Sequence, residues 1–514
     1  MTVFGQTVIL IASMTDDSVC EGYDMLQTNR VIKALEKLFW VYLFINPILD
    51  IVNGYFISSV MGVGILDVEF VSTLGVTPSL VIRMIFLLIF VLYIFLVRDK
   101  YSIFTAIPIG LAWVLSLVSE LRWTGSISYF IDAQYMARFC YNIVILMVYS
   151  RVFARRWGCD GRELLSGLDT VITYTLILLS VSILIPAVFG LGYNTYADRL
   201  GYRGNRGYFF AGNDVTAIMT MLMPLSIVKV LRGREETERV SGKPKFLFAP
   251  ALAAALCANA LLMIGSKTAF LAIVVAFLAI LIYLIVARSK NKNPVMMRDF
   301  LRILGIFLVI FLILNLISCF QVRRQLAEMG EAEPFRLSDI FKYGTLQAIL
   351  QSANATELIA ENEGLENAMF NGRTIKLAEQ LAQYRTGGIL VWIFGMGRGS
   401  QEVIIEMDLF EVLLYYGVFG FFAMLWLYVK LGIGFFKKCF RRFDVTAFAL
   451  FIGLGLAVGY LIIAGHVLFS VTSGFYLSFA IVYSRVFFAD QPEEILLWKE
   501  RNMKMYEETG MPRI

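Results

Sequence analysis

The sequence predicts an all-α, polytopic integral membrane protein with about twelve transmembrane helices. Of its 514 residues, 58% are hydrophobic and only 17% are charged, whereas about a quarter of the residues in an ordinary soluble domain are charged. Apolar runs long enough to cross about 30 Å of hydrocarbon recur along the chain. Because lipid offers no hydrogen bonds to the backbone, runs of this length and composition favour helices.

The predicted spans occur in two groups, with spans 1–9 before a long polar segment and spans 10–12 after it. In chain order they cover residues 38–60, 74–97, 101–120, 131–149, 168–192, 207–231, 246–265, 268–287, 300–320, 406–430, 445–464 and 467–488. The connection at residues 321–405 is too long for an ordinary structureless loop, so we expect a folded segment there.

Basic residues set the predicted orientation, because cytoplasmic loops carry an excess of Lys and Arg. They concentrate on one side of the predicted spans, at Arg30, Lys33, Lys37, Arg98, Lys100, Arg151, Arg155, Arg156, Arg162, 229–245, 288–302 and 430–442. That side is predicted to be cytoplasmic, with both termini. The predicted order is therefore a cytoplasmic segment 1–37, a membrane domain 38–320, an extracytoplasmic loop 321–405 with short helices, a membrane domain 406–488 and a cytoplasmic tail 489–514.

One stretch of the long loop has a helical pattern. Between Arg373 and Tyr384 the apolar residues Ile375, Leu377, Ala378 and Leu381 fall on one face, and Asn371 is suited to cap the start. The pattern predicts an amphipathic helix that faces the membrane.

Several classes of function are disfavoured by what the sequence contains. No Cys-x-x-Cys or His-x-x-x-His spacing occurs, and a single histidine cannot build a zinc site, so we expect neither a metal nor another cofactor. The net charge of +5 is modest for so long a chain, so nucleic acid is not an expected partner.

Arginines and a lysine on the predicted outer side violate the positive-inside rule. Arg203 and Arg206 directly precede the span 207–231, which carries Asn213 and Asp214 roughly two turns deep. Two guanidiniums suit a diphosphate, because each pairs bidentately with phosphate oxygens. The alternative is that they contact anionic lipid headgroups. Lys267, in a tight hairpin, is a second candidate phosphate ligand or an interface anchor.

Further candidates follow the long loop. Glu406 and Asp408 stand at the predicted start of span 10, where each is either a general base or a favourable charge at the positive end of the helix dipole. His466 precedes the last span and either titrates near neutrality or bridges a tight turn. The charges within spans, Asp50, Arg83 and Arg138, are predicted to pair with one another, with a translocation path as the alternative.

Taken in order, several of these motifs resemble the O-antigen polymerase and O-antigen ligase superfamily of bacterial envelope glycosyltransferases. The resemblance spans roughly residues 202–474 and rests on Arg203-Gly-Asn-Arg206-Gly-Tyr-Phe-Phe-Ala-Gly-Asn213, Ser266-Lys267-Thr268 with Lys in place of the usual Arg, Gly372-Arg373, and Phe394-Gly395-Met396-Gly397. Where ligases typically carry His-Asn, this chain has Glu406-Met407-Asp408, which is similar to the Glu-x-Asp of polymerases.

The resemblance implies a bacterial cytoplasmic-membrane enzyme with an outward-facing site. It would join undecaprenyl-diphosphate-linked oligosaccharides without a metal and with inversion, beside a flippase and a chain-length regulator. The implied roles are Glu406 as base with Asp408 as substitute and His466 as a further catalytic residue, Arg203, Arg206, Lys267 and Arg373 on the diphosphate, and Asn213 and Arg398 on the rest of the substrate. The alternatives are ligase-type transfer to a lipid or protein acceptor, and a flippase or secondary transporter, for which two related halves are expected but not seen.

Overall fold

The computed structural model describes residues 30–57, 77–195, 204–241, 246–289, 294–328, 335–336, 338–339, 372–465 and 467–489. The helices within these ranges are α1 (Arg30–Tyr55), α2 (Pro78–Val97), α3 (Lys100–Thr124), α4 (Tyr129–Val188), α5 (Gly212–Ser241), α6 (Phe248–Ile264), α7 (Lys267–Ser289), α8 (Pro294–Glu328), α9 (Arg373–Thr386), α10 (Gly388–Phe394), α11 (Asp408–Arg441), α12 (Val445–Ile463) and α13 (Ser473–Phe487).

The predicted all-α membrane fold is confirmed. Among the described residues, 9 helical segments are long and apolar enough to cross a membrane, two of them in α4. The other three predicted spans coincide with α1, with the 17-residue α6 and with the 15-residue α13. The total of about twelve spans stays a prediction.

Helix α4 contains 60 consecutive helical residues, and the direction of the chain reverses within them. Asn142 accepts a hydrogen bond from Ser478, and Asp169 accepts one from Tyr483. The two α13 residues are only about 7 Å apart along their helix, whereas Asn142 and Asp169 would be about 40 Å apart in a straight helix. The chain therefore reverses between its two candidate spans, Tyr129–Ala154 and Glu163–Val188.

The helices divide into a buried centre and a lipid-facing periphery. In α5, 89% of the span residues are buried, whereas in α2 and α8 only 22% are buried. Helix α5 packs against α6, α12 and α13. The start of α5 therefore lies inside the bundle, where charged groups are shielded from lipid.

The charges within the spans pair only in part as predicted. Asp50 and Arg83 form a buried ion pair, and Arg83 also donates to Asn46 and Thr472, each at 3.2 Å. Arg138 lies elsewhere, where Asp214 and Arg398 are the charged groups that act on it. The predicted pairing is therefore right for Asp50 and Arg83 and wrong for Arg138.

The described part of the long connection contains two short helices. Helix α9 confirms the predicted helix. Leu377 and Leu381 pack against the protein core, whereas 51% of the surface of Ile375 is exposed. That this helix faces the membrane stays a prediction. The predicted cap Asn371 lies outside the described residues. Helix α10 exposes Ile389 and Trp392, so its apolar face is available to lipid.

Candidate functional site

Nearly all described candidate residues lie at one end of the bundle. We call this end the loop face, and it consists of residues 204–213, 264–267, 372–408, 464–465 and 467–473. It connects helix ends on both sides of the long loop. Two candidates, Arg203 and His466, fall outside the described residues, although their neighbours in sequence are part of the loop face.

A glycine-rich turn fits into a break in α11. Gly417 has φ 69° and ψ −174°, which interrupts the helix and leaves nearby carbonyl groups unpaired. The N–H groups of Met396 and Gly397 donate to the carbonyls of Leu414 and Tyr415 at 2.9 and 3.0 Å. A Cβ on Gly417 would lie 2.5 Å from the nitrogen of Gly395, so the two segments need glycine to approach this closely.

The same turn positions Arg398. Its backbone N–H donates to Asp132 at 2.9 Å, and the N–H of Gly399 donates to the same carboxylate at 2.7 Å. The Arg398 guanidinium lies 5.7 and 5.8 Å from the ring centres of Tyr135 and Tyr415. Arg398 is therefore fixed by its backbone and by cation–π contacts, and its buried Nε has no partner among the described residues.

Glu406 lies at the mouth of this arrangement, with its carboxylate partly exposed. It adopts φ 65°, which is rare for a residue other than glycine. Arg373 donates to its Oε2 through Nε at 3.1 Å and Nη2 at 2.8 Å. The backbone N–H of Glu406 donates to buried Glu411 at 2.7 Å. Glu411 thus holds the backbone of Glu406 and Arg373 holds its side chain. About a third of the Glu406 side chain stays exposed.

Asp408 points away from Glu406 into the protein. Its Oδ2 accepts hydrogen bonds from the N–H groups of Val467 and Leu468 at 2.7 and 2.8 Å. With 1% of its surface exposed, Asp408 is placed to hold the turn before α13 rather than to reach a substrate. A Cβ on Gly465 would lie 2.4 Å from the Glu406 carbonyl, so the backbone of this turn packs directly against the backbone of Glu406.

Polar side chains from several helices fix the rest of that turn. Asn142 donates to the carbonyls of Leu468 and Ser470 at 2.8 and 2.9 Å. Ser473 donates to Asp214 at 3.2 Å, which links the turn to the start of α5. These hydrogen bonds hold the turn before α13 in place beside Glu406.

On the other side of the loop face, a backbone hydrogen bond joins the segment that carries Arg206 to the segment that carries Lys267. The N–H of Asn205 donates to the carbonyl of Met263 at 2.9 Å, four residues before Lys267. Arg206 donates to the carbonyl of Phe210 and makes no ion pair within the described part of the chain. Burial lowers the pKa of Arg206, whereas Tyr193 raises it. A guanidinium that pairs with no carboxylate keeps donors of the kind that bind phosphate oxygens.

The remaining positions on this side differ in exposure. Lys267 is exposed at the first position of α7. Asn213 is half-buried in the first turn of α5, next to Asp214. Both therefore remain accessible at the loop face.

The structure brings together several residues that the sequence could not connect. It joins Glu406 to Arg373, Asp408 to the turn after Gly465, and the segment of Arg206 to the hairpin of Lys267. Sequence reasoning missed three supporting residues, Asp132, Tyr135 and Glu411. Asp132 and Glu411 did carry a signal, since both are charged residues inside predicted spans.

The fold and the loop face define a multi-pass membrane protein with a polar, arginine-rich site at one end of its helices. The family described as O-antigen ligase like membrane protein matches residues 33–488. Because the match covers most of the 514 residues, the chain belongs to this family. Membership indicates an enzyme that transfers lipid-linked glycans. Comparisons with curated proteins and with solved structures found no match.

Proposed function

We propose that this protein is a polysaccharide polymerase of the bacterial cytoplasmic membrane. It joins oligosaccharide repeats carried on undecaprenyl diphosphate, and the loop face is the outward-facing active site. The observation that carries the proposal is Glu406, a partly exposed carboxylate held by Arg373 at 2.8 Å. Across the loop face, Arg206 offers a guanidinium that lacks an ion-pair partner among the described residues. A base and a cation are the two groups that this transfer needs.

The reaction is a single displacement at the anomeric carbon of the donor sugar. The hydroxyl oxygen of the acceptor forms the new glycosidic bond as its proton moves to Glu406. The bond between the anomeric carbon and the diphosphate oxygen breaks, and its electron pair leaves with the lipid diphosphate. Attack from the face opposite the leaving group inverts the anomeric centre.

Stabilisation of the departing diphosphate is assigned to basic residues. Arg206 and Lys267, with Arg203 from the resemblance, supply the positive charge that a metal supplies in other enzymes. Arg398 and Asn213 are proposed to contact the rest of the substrate. Because the positive charges of these basic residues take the place of a metal, we expect the reaction to continue in EDTA.

The support for Glu406 is stronger than that for Asp408. The Asp408 carboxylate accepts two backbone N–H groups and is buried, so it is assigned to positioning the turn that carries His466. His466 remains a candidate for a contact to sugar hydroxyls, because the residue before it, Gly465, packs against the carbonyl of Glu406. The resemblance of Glu406-Met407-Asp408 to polymerases favours repeated addition over a single transfer.

The second candidate function is ligase-type transfer to a lipid or protein acceptor. The description of the matching family favours it. The two functions differ in the acceptor and in how often the product reacts again, and both use the same base and leaving group.

The test is a transfer assay with purified protein in lipid nanodiscs. The substrate is an undecaprenyl-diphosphate-linked oligosaccharide repeat, with EDTA present and no nucleotide sugar. A ladder of products on a gel, with inverted linkages by NMR, is the expected result. A product formed only when a lipid or protein acceptor is added would identify a ligase. Bilayer crossing of the substrate without a new glycosidic bond would overturn the proposal in favour of a flippase.

A further inference from the structure

A groove of about 560 Å³ opens on the surface of the bundle, along the second half of α11. Its lining includes Phe422, Trp426, Val429 and Ile433, whose spacing of three or four residues places them on one face of the helix. Of these, Phe422, Val429 and Ile433 are each more than half exposed. On a membrane-spanning helix an exposed apolar face meets lipid, so the groove opens toward the bilayer.

The groove reaches the end of the bundle that lies opposite the loop face. Ser119 of α3 donates to the carbonyl of Gly395 at 2.6 Å, so Tyr101, near the other end of α3, marks the opposite end. Lys430 of α11 contacts Tyr101, with 3.3 Å between its Nζ and the tyrosine hydroxyl oxygen. Measured from Asp408, Lys430 is also about 33 Å along the helix, close to the thickness of the hydrocarbon layer. Lys430 therefore lies where the polar region of the opposite leaflet begins.

Two lysines form the polar end of the groove. Lys430 and Lys437 both line it, and Gly434 lies between them, four residues after the first and three before the second. All three therefore share one face of α11. A Cβ on Gly434 would meet no atom within 4 Å, so the surface between the two lysines is open.

This end of the groove carries positive charge. Among the described residues that line it, none is acidic. The Lys430 ammonium lies 5.0 Å from the ring centre of Tyr101 and 5.4 Å from that of Trp426, contacts that hold it in place and leave it charged. Asp99, which caps α3 next to Tyr101, forms no ion pair with either lysine in the structure. Apolar contacts and a lysine pair together suit an amphiphile with an anionic headgroup.

We propose that this groove binds an anionic phospholipid from the leaflet opposite the loop face, which in the proposed orientation is the cytoplasmic leaflet. One acyl chain lies along the apolar face between Phe422 and Ile433, which extends about 17 Å. The headgroup phosphate lies over Gly434, between Lys430 and Lys437. A zwitterionic lipid fits the apolar part equally well but has no net charge for the lysines to attract. This inference goes beyond the proposed glycan transfer and does not depend on it.

Trp426 reports on the groove, because brominated lipids quench tryptophan fluorescence at close range. Protein in nanodiscs is titrated with brominated phosphatidylglycerol and, separately, with brominated phosphatidylcholine. The contribution of Trp426 is the difference between each protein and its Trp426→Phe counterpart. We expect phosphatidylglycerol to be preferred about 5- to 30-fold at Trp426. Lys430→Gln and Lys437→Gln should each lower this preference by about 2- to 5-fold.

Further variants separate a site in the groove from general attraction between basic residues and anionic lipid. Gly434→Leu fills the open surface between the lysines and keeps both charges, so it should lower the preference as much as Lys437→Gln does. Its matched control is Gly455→Leu, because a Cβ at that exposed helical position also meets no atom within 4 Å. Arg298→Gln removes an exposed basic residue of α8 and should leave the preference unchanged.

Several outcomes would overturn the inference. Equal quenching by the two lipids in the wild type does so, as does a preference that survives Gly434→Leu or falls equally in Arg298→Gln. Quenching by neither lipid also overturns it, because protein, such as residues 490–514 of this chain, would then cover the groove. Lys437→Gln guards against a folding defect, since the Lys437 side chain is exposed and makes no hydrogen bond or ion pair within the described part of the chain.

Discussion

At the scale of single residues, Glu406 and Asp408 lie two positions apart and make contacts of different kinds. Glu406 precedes α11 with a positive φ, and its side chain meets Arg373 near solvent. Asp408 begins α11 and binds backbone N–H groups in the interior. We assign the chemistry to the exposed carboxylate and the positioning to the buried one.

This difference predicts opposite effects on stability and turnover. Asp408→Ala leaves the N–H groups of Val467 and Leu468 without an acceptor, which costs about 1–3 kcal/mol for each buried donor. We expect a clear fall in the thermal unfolding temperature, measured in detergent by intrinsic fluorescence. Glu406→Gln is expected to unfold near the wild-type temperature. Equal unfolding temperatures in Asp408→Ala and the wild type would contradict the positioning role.

Arg373 has two assignments that can be separated. The resemblance places it on the diphosphate, whereas the structure pairs it with Glu406 through two nitrogens. If its main task is to orient the base, Arg373→Gln lowers the turnover number and leaves the affinity for undecaprenyl diphosphate nearly unchanged. We expect this result from binding and transfer measurements on one preparation. A matching loss in affinity would return Arg373 to the diphosphate.

At the scale of secondary-structure elements, the break in α11 is the feature that makes room for the glycine-rich turn. Gly417→Ala places a methyl group 2.4 Å from the carbonyl oxygen of Ile393 and forces alanine into a positive φ. We expect destabilisation of about 1–3 kcal/mol, with loss of transfer as Arg398 shifts. The measurements are chemical unfolding and the product ladder.

The matched control lies in the same helix. A Cβ on Gly432 meets no atom within 4 Å, and its backbone is helical. Gly432→Ala is therefore expected to keep full activity and to leave stability unchanged or raise it by up to about 1 kcal/mol. If the two glycine variants behaved alike, the break at Gly417 would have no special role.

At the scale of the whole molecule, the proposal requires the loop face to lie outside the cell. Thr386 is exposed on the loop face and Lys437 is exposed near the opposite end of α11. We expect Thr386→Cys to react with a membrane-impermeant maleimide in intact spheroplasts and Lys437→Cys to react only after lysis. The reverse pattern would place the loop face in the cytoplasm and contradict the proposed orientation.

The sequence was sufficient for the helices because lipid imposes a simple rule on them. Apolar length alone located α2, α7 and α12 to within a few residues. Hydropathy located α9 but not its neighbours, since Leu377 packs against the protein core while Ile375 is 51% exposed. An amphipathic pattern does not state which neighbour will cover a face.

The sequence allowed candidate site residues to be proposed, but it did not predict their geometry. Motif order identified Glu406 and Arg206, since both belong to stretches that resemble a known family. The pairing of Glu406 with Arg373 depends on a positive φ and on a folded loop, neither of which has a local sequence signal. The predicted pairing of Arg138 with Asp50 and Arg83 was wrong, because a charged residue inside a span carries no sequence signal for the residue it will contact.

The central claim is that Glu406 is the base, and one comparison of rates tests it most directly. Glu402 is an exposed acid four residues earlier in the same loop, so Glu402→Gln matches Glu406→Gln in chemistry and position. In the nanodisc transfer assay we expect Glu406→Gln to lower the initial rate by about 100-fold or more. Glu402→Gln should keep the wild-type rate. A wild-type rate in Glu406→Gln would contradict the claim.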